Sequence, residues 1–149
     1  MLFRSKGNWK RIQGMIPDIR FNYDFWTSCE PKRSTYPACR AVICAKQQHP
    51  DFENLMIYGI QKSYYLEAQN PSNDDVLINI AESLGLDTDK FKIDLKSSQV
   101  NGILLNEIKL ARSMDMNSMP SLVLHINGTL KVIDIDYLDA NYIVKQIIP

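Results

Sequence analysis

An abrupt change of hydrophobic period divides this sequence at Pro120. Before it, apolar residues recur at helical spacing; after it, two β-rich runs, residues 121–126 and 129–135, are joined by Asn127-Gly128. An Asn-Gly pair between apolar runs is a strong hairpin signal, because both positions of the tightest turn need a positive φ. The sequence therefore predicts two antiparallel strands near its end, preceded by helices.

Helical spacing predicts further elements on both sides of the hairpin. Ser72, with Asp75 three positions later, is the predicted N-cap of a helix that ends at Gly85. Asp139 is the predicted cap of a last helix, whose apolar face is able to cover the hairpin. Residues 17–36 are predicted to form an irregular loop. The other predicted helices cover about residues 2–16, 37–48, 52–69 and 103–114, with a short helical turn at 87–91.

Composition narrows the class of protein. With 149 residues, 45% of them hydrophobic, the chain has enough apolar material for a single domain, residues 1–149, of α/β class with an α+β appearance. Seventeen basic and seventeen acidic side chains cancel, so no overall field favours nucleic acid or an anionic membrane surface. The charged start of the sequence and the lack of a bilayer-length apolar run predict a cytoplasmic protein without a membrane partner.

Three cysteines, Cys29, Cys39 and Cys44, are too few and too widely spaced for a disulfide framework. With only two histidines in the chain they also do not predict a metal site, and no cofactor is expected. We expect three reduced thiols, with Cys39 and Cys44 packed in a helix as small hydrophobic residues. Cys29 is the one candidate thiol, because Lys32 and Arg33 beside it would favour a thiolate.

The region around Pro120 resembles a known fold. Ser118-Met119-Pro120-Ser121, followed by the hairpin and a capped helix, looks like the C-terminal half of the thioredoxin fold, where a cis-proline opens the strand beside the active site. The preceding helices are similar to the insertion of the DsbA-like family, in its cytoplasmic FrnE-like branch. The similarity lies in Tyr36-Pro37-Ala38-Cys39-Arg40-Ala41-Val42, Ile60-Gln61-Lys62-Ser63-Tyr64-Tyr65-Leu66, Asn70-Pro71-Ser72-Asn73-Asp74-Asp75, Leu84-Gly85-Leu86-Asp87 and Asp136-Tyr137.

This resemblance implies a partial thioredoxin-like fold. The helical insertion would cover about residues 37–117, and the C-terminal half of the fold residues 118–149. In the family, a strand and a helix with a Cys-x-x-Cys pair precede these segments, and this sequence contains no such pair. The implied function is that of a thiol-disulfide oxidoreductase or isomerase homologue, truncated or degenerate and redox-inactive as given. We therefore assign no catalytic residue.

Two alternatives remain open. The first is a non-catalytic binding module, in which Met119 and Pro120 contact an extended peptide or thiol ligand and an edge strand accepts a chain. The second is a relative of the glutathione-dependent kappa-class transferases and hydroxychromene-carboxylate isomerases, whose catalytic residue also lies in the N-terminal unit. Because a flanking strand is missing, we also expect a homodimer formed through the edge of residues 121–126 or the adjoining apolar surface.

Two arginines and a histidine are weaker candidates for a functional role. The predicted loop at residues 17–36 carries a cluster of aromatic residues, Phe21, Tyr23, Phe25 and Trp26, and is called the aromatic loop below. Arg33 and Arg40 flank this cluster and are candidates to hold a carboxylate, although a solvated charge or a structural ion pair is the favoured interpretation. His125, within a strand, is expected at the surface.

Overall fold

A computed structural model describes residues 2–32 and 34–148. The chain forms two compact units, one up to Leu104 and one from Leu105, and combines helices with a small sheet, which confirms the predicted α/β class with its α+β appearance. The elements are α1 (Leu2–Met15), α2 (Phe25–Ser28), α3 (Tyr36–Gln48), α4 (Phe52–Tyr65), α5 (Asp74–Ser83), α6 (Thr88–Leu95), α7 (Ser98–Ser113), β1 (Leu122–Ile126), β2 (Thr129–Ile133) and α8 (Ala140–Ile147).

The core of the first unit lies among α3, α4, α5 and α6. α3 packs against the other three, and α5 also packs against α4 and α6. Each helix supplies an apolar face at helical spacing, as the period predicted. The largest fully buried side chains are Phe25, Phe91, Met56, Leu77, Leu95, Val100 and Cys44.

The approach of α4 to α5 depends on a glycine. A Cβ placed on Gly59 would lie 2.5 Å from Cγ2 of Ile80, closer than real carbon atoms pack. Gly59 therefore allows the two helix backbones to come together around the Ile80 side chain.

Several helix ends differ from their predicted positions. Ser72 does not cap α5: Asn73 stands at the N-cap, and the Ser72 hydroxyl instead donates to the carbonyl of Ser34. α4 ends at Tyr65 rather than near residue 69, because Asn22 of another segment binds there, its N–H donating to the Tyr65 carbonyl at 2.7 Å. The irregular loop predicted at 17–36 contains the short helix α2.

Other helix ends match the prediction. Gly85 follows α5 with a φ of 77°, a conformation that glycine adopts without strain. Asp87 caps α6 by accepting from the N–H groups of Asp89 and Lys90, although α6 is a full helix rather than the short turn predicted. The Asp139 carboxylate accepts from the N–H of Asn141 at the start of α8.

The second unit contains the predicted hairpin. β1 and β2 pair antiparallel, from Leu122 opposite Ile133 to Ile126 opposite Thr129. α8 is held at the end of β2, where the Gln146 side chain donates to the carbonyl of Asp134 and accepts from its N–H. Ile133 is buried, so α8 covers one end of one face of the hairpin.

Candidate protein-binding site

The candidate site begins at the loop before β1. The peptide bond between Met119 and Pro120 is cis, the isomer that the resemblance implied. Ser121 closes the loop, its hydroxyl donating to the carbonyl of Ser118 at 2.6 Å. The Met119 side chain is 97% exposed. The loop thus presents a flexible apolar side chain to solvent where the strand starts.

β1 continues this surface as an open strand edge. Within the described residues the sheet has only two strands, so one edge of β1 carries no strand partner there. The strand, Leu122–Ile126, contains no lysine, arginine or carboxylate. An uncharged edge strand with free backbone N–H and C=O groups is a template for pairing with another chain.

None of the three cysteines forms a disulfide bond in the described part of the chain, and their surroundings differ. Cys44 on α3 is fully buried; burial raises the pKa of its thiol to about 12, and the charge of Asp94 acts in the same direction. Cys29 is half-buried, and its sulfur donates a hydrogen bond to the carbonyl of Ala68 at 2.9 Å. Cys39 is exposed, which corrects the prediction that it packs like Cys44. Five positions along a helix rotate a side chain by about 140°, so the two thiols lie on different faces.

Arg40 and Lys32, two charged residues near the aromatic loop, form hydrogen bonds within the protein. Arg40 donates from Nε to the carbonyl of Leu95 at 3.0 Å. This hydrogen bond gives a partner to a backbone carbonyl at the C-terminal end of α6. Lys32 donates to the side chain of Asn73, whereas the sequence suggested that it would favour a thiolate at Cys29. Arg33 falls outside the described residues. His125 is exposed, as predicted.

The first unit contains an aromatic cluster that the sequence predicts only in part. Trp9 of α1 is 5% exposed and lies at the centre of an aromatic cluster. Its ring centroid is within 4.9–6.0 Å of those of Phe21, Tyr23, Phe25, Trp26, Tyr64 and Tyr65. The density of aromatic residues between 21 and 26 is the available signal, but it does not identify Trp9 as their common partner.

Across residues 2–32 and 34–148 no three histidine, cysteine or carboxylate side chains are grouped to hold a metal ion. In the same ranges no helix has the length and apolar character needed to cross a bilayer.

Comparison with known sequences finds thioredoxin relatives. The profile of a family described as thioredoxin matches residues 2–140. Relatives described as ClpXP adapter protein SpxH are 29% identical over 100 residues in Halalkalibacterium halodurans, covering 67% of this chain and 32% of the relative. In Bacillus subtilis the identity is 31% over 93 residues, covering 62% and 31%. The chain thus spans about a third of the length of the curated relatives it matches.

Solved structures share the fold. A proposed protein disulfide isomerase from Nitrosomonas europaea superposes with a TM-score of 0.78 at 17% identity, covering 95% of this chain and 70% of that one. The cytosolic disulfide reductase DsbM from Pseudomonas aeruginosa gives a TM-score of 0.68 at 20% identity, covering 83% and 62%. At these identities the likeness establishes the fold.

Proposed function

The chain belongs to the thioredoxin family, and from that premise we propose that it is a protein-binding module that performs no thiol-disulfide exchange with its own three cysteines. The observation that carries the proposal is the juxtaposition of the exposed Met119 with the uncharged, open edge of β1. An extended segment of another protein would add as a strand along β1 and place an apolar side chain against Met119.

The thiols support binding over redox chemistry. Thiol-disulfide exchange needs an accessible thiolate and a second thiol that resolves the mixed disulfide. Cys44 is buried with a raised pKa, and the Cys29 thiol donates its proton to a carbonyl. No two of the three cysteines have Cys-x-x-Cys spacing. The described thiols therefore lack the arrangement for a reversible cycle.

The sequence relatives support the same class of function. They are described as ClpXP adapter proteins, and an adapter acts by binding. Because the chain spans about a third of their length, we propose only that it binds an extended segment of another protein.

A glutathione-dependent reaction is the weaker candidate. DsbM has been solved with GSH, but that likeness extends to the fold. Among the described residues of this chain, the Cys44 thiol is buried with a raised pKa, and the Cys29 sulfur already donates a hydrogen bond to the Ala68 carbonyl. Glutathione-dependent turnover by the purified chain, lost on replacing a single cysteine, would favour this alternative over binding.

We place this function in the cytoplasm. Three described cysteines that form no disulfide bond are typical of a reducing compartment, and DsbM is described as cytosolic. Fractionation of cells that carry the tagged chain tests this part of the proposal, and recovery in a membrane or secreted fraction would contradict it.

The binding proposal is tested with an unfolded polypeptide, reduced and carboxymethylated α-lactalbumin. We expect Met119→Lys to weaken its binding by roughly tenfold, about 1.4 kcal/mol, because a charge replaces an apolar contact. Ile93→Lys is the matched control, since Ile93 on α6 is 72% exposed. Equal binding by the two variants and the wild type would disprove the role of Met119.

Insulin reduction tests the redox half of the proposal. The wild-type chain is expected to show no turnover above a reaction without protein. Turnover that disappears in Cys29→Ser or Cys39→Ser would contradict it.

A further inference from the structure

A cleft in the first unit has a wall made by part of the aromatic cluster around Trp9. The cleft has a volume of about 880 Å³ and lies between α1, the segment at residues 18–21, and α4. Trp9 and Phe21 stack at 5.0 Å on one side, and Tyr65 approaches Phe21 at 5.6 Å. Rings that brace one another in this way give the cleft a preformed wall.

The side chains at the cleft are those that carry binding energy in protein interfaces. Tyr58 is 64% exposed, Leu66 47% and Tyr65 37%. Aromatic residues and arginine are enriched at the centres of interfaces, where they bury large areas at a small cost in side-chain entropy. In solution these rings leave an apolar surface in contact with water.

The charges at the cleft are predominantly basic. Arg20 lines it, and Arg11 lies on α1 one turn beyond Asn8 of the lining. Neither guanidinium forms an ion pair or hydrogen bond with any residue in the described part of the chain. Lys62 also lines the cleft but is paired with Glu67 at 2.8 Å, and Asp18 is the acidic lining residue.

The sequence around the cleft residues also carries a net positive charge. Residues 1–46 contain nine basic and three acidic side chains, so the charge that cancels over the whole chain is concentrated locally in the segment that provides α1 and Arg20. A local basic field attracts carboxylates and accelerates their encounter.

We propose that this cleft binds an acidic segment of a partner protein, with one aromatic or large aliphatic side chain of that segment inserted against Tyr58 and Tyr65. Carboxylates flanking the inserted side chain pair with Arg20 and Arg11. Asp18 in the lining would repel a continuous phosphate backbone, which favours a peptide over a nucleic acid. The lining residues include neither Met119 nor any residue of β1, so the inference stands independently of the function proposed above.

The test uses three fluorescent peptides of equal length. The first is rich in glutamate and aspartate around a central phenylalanine; the second has lysine in place of every acid; the third keeps the acids and has alanine for phenylalanine. The full chain is expected to bind the first at least tenfold more tightly than either of the others, and rising salt should weaken that binding because it screens exposed charges.

Two substitutions locate the binding. Arg20→Glu and Tyr58→Ala should each weaken binding of the first peptide by roughly fivefold to tenfold. Lys109→Glu on α7 is the matched charge reversal and Tyr137→Ala, at a residue that is 73% exposed, the matched ring deletion; both should leave binding unchanged. Circular dichroism of the four variants establishes that they are folded.

Three results would overturn the proposal. One is equal affinity for the acidic and the lysine peptide, and another is a wild-type affinity in both Arg20→Glu and Tyr58→Ala. The third is salt-sensitive self-association that Arg20→Glu abolishes while no peptide binds, since a second copy would then be the occupant. Loss of unfolded-protein binding in Met119→Lys bears on none of these results.

Discussion

Cys44 lies where its proton is difficult to remove. It is fully buried on α3, and burial, followed by the charge of Asp94, raises the pKa of its thiol from 9.0 to about 12. Unfolding exposes the thiol and returns its pKa to the ordinary value. Above pH 9 the unfolded chain therefore releases a proton that the folded chain keeps, and the folded state loses stability.

The raised pKa of Cys44 predicts that the free energy of unfolding depends on pH through this thiol. The free energy of unfolding should receive a constant contribution from this thiol below pH 9 and a decreasing one as the pH rises from 9 towards 12. In Cys44→Ala this part of the decrease should vanish, and the slope in that range should be shallower than in the wild type. Urea titrations at a series of pH values measure it; parallel curves for the two proteins would refute it.

The same burial determines which thiol reacts. Iodoacetamide at pH 8 should modify Cys39, which is exposed, and should spare Cys44 until the chain is unfolded. Mass spectrometry of the peptides locates the label. Labelling of Cys44 in the folded chain at the rate of Cys39 would contradict the buried position.

At the scale of elements, the contact between α4 and α5 depends on Gly59. Gly59→Ala should destabilise the fold by about 1–3 kcal/mol, because the new methyl group would lie 2.5 Å from Ile80 Cγ2 and a β-branched side chain cannot easily turn away. Gly102→Ala on α7 is the matched control: no atom lies within 4 Å of its added Cβ. That variant should gain up to about 1 kcal/mol from helix propensity. Thermal melts compare the two, and a more stable Gly59→Ala would show that the helices pack differently.

The sequence predicted turns and helix ends correctly where they are determined by residues adjacent in the chain. The Asn127-Gly128 turn needs two positive φ angles, and the structure has 50° and 78° there; the αL conformation of Gly85 and the caps at Asp87 and Asp139 follow from similarly short-range bonds. Prediction failed where distant groups compete. The Ser72 hydroxyl binds Ser34 across 38 positions instead of capping a helix.

The binding surfaces show the same contrast between local and distant determinants. Met119 and Pro120 could be singled out from the sequence because the loop, the strand and the turn follow one another along the chain. The cleft could not, since Trp9, Phe21, Tyr58 and Tyr65 come from three segments whose approach is set by packing. A side chain such as Cys39 is also hard to place, because helical spacing gives relative faces but not which face meets the core.

At the scale of the whole molecule, the region from Met119 to Ile148 exposes most of its large apolar side chains. Eleven of its large apolar side chains are at least 40% exposed, whereas Ile133 is the buried one. Two strands are marginal without further strands or a covering layer, and this number of exposed apolar side chains favours burial against another chain. A second copy of the chain is able to supply a further strand.

The sequence of β1 suits such a dimer. Two β1 strands related by a two-fold axis at Leu124 would run antiparallel and place Leu122 opposite Ile126 of the second copy, with no like charges facing each other. We therefore expect a dimer in sedimentation at tens of micromolar protein. His125→Lys should raise its dissociation constant at least tenfold, about 1.4 kcal/mol, because a charge on an edge strand opposes pairing. Leu130→Lys is the control, since Leu130 stands opposite His125 on β2. A wild-type chain that sediments as a monomer with cooperative unfolding would rule this dimer out and leave the β1 edge to a partner protein.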